Sequence, residues 1–585
     1  MNCTFFPKTI DTDLLLIFPP FQRPIVSMEN IGIEYIAASA RANGFRSTII
    51  NAGLHGLGVD DIVEILRCSR FLLLGISTIH WTMHAAVRIA KAARELHPDC
   101  HIIFGGVEAA LDAKRILLDY PFVDSVGMGE GEQMVSSLLS ALAGGKDWRK
   151  LDGLAYRTGR SVHFTQSLRL IDPLDELPFP ARDDMAAVID SGGAVSMSSS
   201  RGCPGRCSFC SVRAFYGLSE GHTWRGRSPL SVVTEMQEIQ RKYGARLFSF
   251  IDETVVGPGE NGRARLRELA SLIKQSGLKA DLFMTVRADQ VERDLFRELK
   301  SAGLRKVEIG IESMAPSQLR RYGKRACVED NRSALVILEE LGIASELFMV
   351  PFDPGVTAAE MEMNLCFYRE RYDRSTVYDV SPLSLGNYLF PYPGTGTRVV
   401  YEQNGWLNEG SHAVFHAMDR RMQKVGDVLI WLVGSSFEPI FPMSYMGLGN
   451  LWINGAGLPE NVYERIGGIC GEIGILLVDT ANWTLSVTAK PLPIPIHDVE
   501  KLITELRRFL ARARALRKEV CAITNAYGRK NEAGLMFKSE QAFADELYSL
   551  GRERKQRILD KSQDAEIDEH DIITRILDIL TKESA

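Results

Sequence analysis

Two hydrophobic periods alternate through the first quarter of the chain. Leu14-Leu15-Leu16-Ile17-Phe18 is a continuous apolar run closed by Pro19-Pro20, the pattern of a strand buried on both faces. A helical pattern follows from Ile31 to Asn43 and stops at Gly44. Strands are predicted over Ser47 to Ile50, Phe71 to Ile76, His101 to Phe104 and Val123 to Val126. Helices are predicted over Val59 to Cys68, Met83 to Leu96 and Glu132 to Leu142. Strand and helix in regular alternation imply an α/β doubly wound sheet, which binds ligands beyond the carboxyl ends of its strands. The unusual residues lie at those ends: Pro19-Pro20-Phe21, Asn51-Ala52-Gly53, Ser77-Thr78-Ile79-His80-Trp81, Gly105-Gly106-Val107-Glu108 and Gly127-Met128-Gly129-Glu130-Gly131-Glu132. Each glycine alone reads as a tight turn; together they let a large flat ligand approach the backbone.

The alternation resumes after a stretch with Pro173, Pro178 and Pro180. Strands are predicted over Ala194 to Met197, Leu247 to Ile251, Asp281 to Val286, Lys306 to Ile311, Ala344 to Val350 and Tyr378 to Leu385. Helices intervene over Gly262 to Ser276, Glu292 to Ala302, Asn331 to Leu341 and Ala358 to Arg371. That is a βα array of barrel type, whose chemistry is expected at strand carboxyl ends. Beyond residue 400 the pattern is mostly helical, with an Arg-rich amphipathic helix at Val499 to Val520 and another at Ile567 to Lys582. Met443, Tyr445, Met446 and Trp452 read equally as cavity lining or core. The expected domains are 1–145, a linker 146–190, 191–400, and a mostly helical 401–585.

Composition narrows the class of protein. The 585 residues are 45% hydrophobic and 24% charged, which suits a globular chain of several domains. A formal charge of −6, from 68 basic and 74 acidic residues, gives a nucleic-acid partner no support. No run is apolar enough to span a bilayer, and Met1 to Lys8 does not read as a secretory signal, so a cytoplasmic protein without a membrane partner is expected. There the ten cysteines are expected as thiols or metal ligands rather than disulfides. Cys327, Cys366, Cys470 and Cys521 are isolated and expected to be buried.

Cys203, Cys207 and Cys210 are spaced C-x3-C-x2-C in the segment Ser200-Arg201-Gly202-Cys203-Pro204-Gly205-Arg206-Cys207-Ser208-Phe209-Cys210. Three thiolates in one tight loop can hold three irons of a [4Fe–4S] cluster and leave the fourth open to a chelating small molecule. A structural zinc is the alternative; it needs a fourth ligand, for which only His222 stands near. The spacing, with Phe209 before the last cysteine, resembles the radical SAM superfamily. The Gly310-Ile311-Glu312-Ser313 run resembles that superfamily's Gly-x-Glu-Ser element. Ser77, Gly105-Gly106 and the Gly-Glu-Gly-Glu run resemble the cobalamin-binding domain found ahead of many radical SAM enzymes. The Asp-x-His-x-x-Gly motif that places a histidine under cobalt in methionine-synthase-type domains is absent.

The combined resemblance implies a Rossmann-like cobalamin-binding domain, a partial (β/α)6 radical SAM barrel, and the cofactors [4Fe–4S], S-adenosylmethionine (SAM) and cobalamin. Cys203, Cys207 and Cys210 become cluster ligands. Pro19, Ser77, His80, Trp81, Gly105, Gly106, Glu130 and Gly131 become cobalamin-side residues, and Glu253, Arg287 and Glu312 SAM-side residues. For Asp252, Glu253 and Asp353 a capping or salt-bridge role stands equally open. The implied activity is methylation of an unactivated centre in a small-molecule precursor, by a 5′-deoxyadenosyl radical and methylcobalamin, with an electron from a donor such as flavodoxin or ferredoxin. A non-methylating cyclisation or rearrangement is the first alternative, and a cobalamin- or metal-binding sensor without turnover the second. Neither the substrate nor a catalytic side chain follows from the sequence.

Overall fold

The computed structural model describes residues 9–20, 29–190, 193–374, 379–407, 415–435 and 460–489, with scattered helical positions between 500 and 515. Phe21, Met443, Tyr445, Met446, Trp452, Cys521, the helix Ile567 to Lys582 and most of the helix Val499 to Val520 lie outside the described residues. Two compact units are present. One comprises Met1–Val286, Glu292–Lys306 and Tyr392–Val399, and the other Arg287–Val291, Val307–Pro391 and Val400–Ala585.

In the first unit, β1 (Leu14–Phe18), β2 (Ser47–Asn51), β3 (Leu73–Ser77), β4 (His101–Gly105) and β5 (Ser125–Gly127) pair in parallel in the order 2-1-3-4-5. Successive side chains of a strand point to opposite faces. Leu15, Ile17, Leu74, Ile76, Ile102 and Phe104 therefore enter one core. Leu14, Leu16, Leu73 and Ile103 enter the other, with Ile33 and Ala37 of the helix Ile31–Ala42 and Leu138 of the helix Glu132–Ala143. Burial on both faces explains why these strands read as unbroken apolar runs. The strand order reverses between β1 and β3, so the crevice of this sheet opens at their carboxyl ends.

Two further strands, β6 (Leu154–Thr158) and β7 (Ser161–Phe164), extend the sheet antiparallel from β5. They fall in the stretch read above as linker. The edge strand β7 is mostly exposed, which leaves it no apolar alternation to read.

The first unit also holds β8 (Val195–Met197), a two-residue ribbon of β9 (Ser200–Arg201) with β10 (Arg225–Gly226), and β11 (Leu247–Phe250). Strand β11 pairs in parallel with β8 and with β12 (Asp281–Arg287). The helices Gly259–Gln275 and Arg293–Ser301 follow β11 and β12. Next come β13 (Leu304–Glu312) and β14 (Ala344–Met349), neighbouring strands followed by the helices Val328–Glu340 and Ala358–Tyr372 respectively.

The strand expected over Tyr378 to Leu385 is not formed in its described part. Pro382–Gly386 is a 3₁₀ turn, capped by Ser381 Oγ accepting from Leu383 N. Pro382 has no N–H to give a ladder, and its fixed φ suits the first turn of a helix. Cys327 and Cys366 are exposed rather than buried, while Cys470 is buried as expected. Cys327 stands at the N-cap of the helix Val328–Glu340, a solvated position. No described helix is long and apolar enough to cross a membrane.

Candidate functional site

The crevice of the first unit is a cavity of about 300 Å³. Its wall takes Leu16 and Ile103 from β1 and β4, Ser77 from the end of β3, Gly105-Gly106 after β4, and Gly129-Glu130-Gly131-Glu132 after β5. Arg201, Tyr216 and Glu253 complete it. Six of the residues expected at the cofactors, Ser77, Gly105, Gly106, Glu130, Gly131 and Glu253, are thus gathered in one wall.

Backbone geometry explains two glycines. Gly106 has φ +89°, and a Cβ there would lie 2.4 Å from the Thr78 carbonyl oxygen, so only glycine lets the turn after β4 close on Thr78. A Cβ on Gly105 would meet nothing within 4 Å, so the open side of its backbone faces space. The wall is mainly apolar, with open backbone at one end.

Pro19, His80 and Trp81 are outside this lining. Pro19 is buried. His80 turns its Nδ1 toward Glu108 Oε1, 3.7 Å away, and stands edge-on to Trp81 and Tyr392. Trp81 is 40% exposed. Among the described residues, no histidine lines the cavity.

The cysteine loop begins where β8 ends, and the end of β11 holds it in place. Ser199 donates to Asp252 from its backbone N at 3.1 Å and from Oγ at 2.9 Å, and Ser200 Oγ also donates to Asp252. Gly202 N donates to Glu253 Oε2 at 2.8 Å, and the Tyr216 hydroxyl to Oε1 at 3.3 Å. Gly202 has φ +84°, and a Cβ there would overlap the Thr223 carbonyl oxygen at 1.6 Å. Of the two roles open to Asp252 and Glu253, both residues serve as loop anchors; Glu253 also reaches the cavity.

Cys203, Cys207 and Cys210 are half-buried and in no disulfide. Gly205 N donates to Cys203 Sγ at 3.3 Å, and Cys210 N to the Cys207 carbonyl at 3.3 Å. Burial pushes the Cys210 thiol up to about 11; the backbone N–H groups of Val212 and Arg213 pull against this, and Cys207 and Cys203 add to it. His222, the fourth ligand a zinc site would need, is exposed. Among the described residues no three His, Cys, Asp or Glu side chains are gathered as one metal ion requires.

Glu130 is held by three protein donors. It accepts from Arg201 Nη1, Arg225 Nη1 and the backbone N of Ile171, each at 2.8 Å. Burial pushes its carboxyl up, and the two arginines more than offset this, holding it below the usual carboxylate range.

In the second unit, Arg287 forks onto Asp289 at 2.9 and 3.0 Å. Glu312 has φ +62°, and its Oε1 accepts from Lys324 Nζ at 2.7 Å. Asp353 is a structural residue, accepting from Arg321, Gln318 Nε2 and Gly355 N. Sequence reasoning missed Lys324 and Arg201. Neither carries a local signal, because each becomes notable only through a partner distant in sequence.

Comparison with known proteins places two family models on the chain. The B12 binding domain matches residues 26–139 and the Radical SAM superfamily residues 197–365. Over 391 residues the chain is 26% identical to an uncharacterized methyltransferase of Pyrococcus horikoshii, covering 65% of this chain and 81% of that protein. Over 349 residues it is 28% identical to the anaerobic magnesium-protoporphyrin IX monomethyl ester cyclase of Synechocystis sp., covering 57% and 67%. Its fold is similar to that of OxsB, a cobalamin-dependent S-adenosylmethionine radical enzyme solved with aqua-cobalamin bound. The TM-score is 0.69 at 15% identity, over 97% of this chain and 84% of that one.

Proposed function

We propose that this chain, a cobalamin-dependent radical SAM enzyme by its B12-binding and radical SAM domains, is a methyltransferase acting on an unactivated centre of a small molecule. The observation that carries the reading is the shared wall. The loops after β3, β4 and β5 and the residues just before and beside the three cysteines line one cavity.

Bound here, the cluster supplies an electron for cleaving SAM, and cobalamin supplies a cobalt centre that carries methyl groups. Cys203, Cys207 and Cys210 would hold the cluster. Asp252 and Glu253 fix the loop that presents them, so the ligands need not reorganise as metal enters. Ser77, Gly105, Gly106 and Gly131 would face the cobalamin, their small size admitting it to the backbone. Glu312, oriented by Lys324, would accept from the ammonium or ribose hydroxyls of SAM. Arg287, aligned by its fork onto Asp289, would meet the SAM carboxylate. A small electron carrier such as flavodoxin or ferredoxin would serve as reductant, in the cytoplasm.

The methylation reading draws its support from the uncharacterized methyltransferase of Pyrococcus horikoshii, which matches 65% of the chain. The cyclase relative keeps cyclisation as the second reading. Two products separate the readings when reconstituted enzyme is reduced with SAM present. A methyltransferase makes 5′-deoxyadenosine and S-adenosylhomocysteine, the latter accumulating to the cobalamin content even without an acceptor. A cyclase makes 5′-deoxyadenosine alone, and a sensor makes neither; either result overturns the proposal.

A further inference from the structure

Arg201 is a residue of the cysteine loop and of the cavity wall at once. It lies in β9, two positions before Cys203. Its Nη1 donates to Glu130 Oε1 at 2.8 Å and its Nη2 to Glu132 Oε1 at 2.6 Å. Both carboxylates of the loop after β5 therefore converge on one guanidinium. That guanidinium lies 4.9 Å from the ring centroid of Tyr35, another wall residue, and the Arg201 side chain is only 13% exposed.

The second oxygen of Glu130 takes Arg225, whose strand β10 pairs with β9. Two cations and two carboxylates thus balance in a nearly dry setting, where charge pairs act more strongly than in water. Planar guanidinium bonds fix direction as well as distance. Downstream, the chain has little room to absorb a shift. Gly202 is pinned by Glu253 on one side and packed against Thr223 on the other. Displacement of the Gly129–Glu132 loop or of Tyr35 is therefore passed through Arg201 to Cys203.

We propose that Arg201 is a positioning residue that couples occupancy of the cobalamin cavity to the geometry of the three-cysteine loop. The inference rests on the cobalamin reading of the cavity given above. It predicts that the cluster senses cobalamin before any substrate is present.

The test uses the full chain, reconstituted anaerobically with iron and sulfide, and records the paramagnetic resonance spectrum of the reduced cluster before and after addition of hydroxocobalamin, both in excess titanium(III) citrate, so that the added cobalamin ends as diamagnetic cob(I)alamin and the cluster stays reduced. In the wild type, cobalamin should shift the g-values of the cluster. In Arg201→Gln, iron and cobalamin contents should persist while the shift is lost; a brace without a coupling role would leave it intact. An unchanged shift in the variant, or no shift in the wild type, overturns the proposal. If Arg201→Gln cannot hold a cluster, Glu132→Gln decides the matter by the same reading: loss of the shift supports the coupling, and an intact shift overturns it. A wild-type chain that takes up no cobalamin overturns the cavity reading first, and the coupling with it.

Discussion

Lys324 clamps Glu312. Its Nζ donates to Glu312 Oε1 at 2.7 Å and to the Gly310 carbonyl at 2.6 Å, and its side chain is 3% exposed. Glu312 takes a left-handed backbone at φ +62°, which costs about 1–3 kcal/mol in a residue with a side chain. Removing one partner of a buried pair leaves an uncompensated charge, at a cost of about 3–5 kcal/mol. Lys324→Met should therefore lower stability by about that much in denaturant unfolding. Glu312→Gln should weaken SAM binding about ten- to a hundredfold, the worth of one charge-assisted hydrogen bond, with cluster and cobalamin contents unchanged. The double variant should recover much of the stability and none of the SAM affinity. A double variant no more stable than Lys324→Met would mean that the pair is not what Lys324 serves.

The first sheet was legible because its strands are buried on both faces, so that Leu14 to Phe18 and Leu73 to Ile76 read without interruption. The cysteine trio was legible because its three thiols share one short loop. The edge strand Ser161–Phe164 was not, since exposure removes the alternation a reader needs. Within the sixth expected strand the 3₁₀ turn Pro382–Gly386 was hidden, because apolar residues around Pro382 weigh as strand until the missing N–H is counted. Arg201 and Glu130 stand 71 positions apart, and Lys324 and Glu312 meet across the helix Pro316–Arg321. Pairings of that kind are properties of the fold, which local patterns do not carry.

Replacing Cys203, Cys207 and Cys210 together by Ala should abolish the cluster. Anaerobically reconstituted wild type should hold about four irons per chain with matching sulfide, and the triple variant essentially none. SAM cleavage should vanish with the cluster's visible absorption, while cobalamin binding persists. Stoichiometric zinc without sulfide in anaerobically purified protein would assign the loop to a structural metal instead.

Gly202→Ala isolates the loop from its ligands. The new methyl would overlap the Thr223 carbonyl oxygen at 1.6 Å, and φ +84° is strained for any side chain. A backbone oxygen cannot swing aside, so the loop must leave Glu253. Iron content after reconstitution should fall several-fold although all three cysteines remain, and cobalamin uptake should change little. Full cluster loading in this variant would show that the pinned conformation is not needed for assembly.

His101 supplies a pH test of the sheet itself. Its Nε2 is 2.8 Å from Ser125 Oγ, and its ring stands edge-on to Trp148 at 4.6 Å. Burial holds the imidazole neutral and lowers its pKa from 6.5 to about 4, Asp124 opposing this and Arg94 and Arg149 adding to it. Below 6.5 the unfolded chain binds a proton here that the folded chain refuses. Stability is thus fully present above 6.5 and falls as pH drops toward 4, by about 3 kcal/mol from this group. His101→Phe keeps a ring but cannot titrate. It should be less stable than wild type at pH 7.5 by about 1 kcal/mol, through loss of the bond to Ser125. The difference should narrow and then reverse as the pH approaches 4, because only the wild type pays to keep the imidazole neutral. Denaturant unfolding of both proteins at half-unit steps from pH 7.5 to 4.5 checks this; parallel curves across that window would mean that His101 titrates in the folded sheet as it does in the unfolded chain.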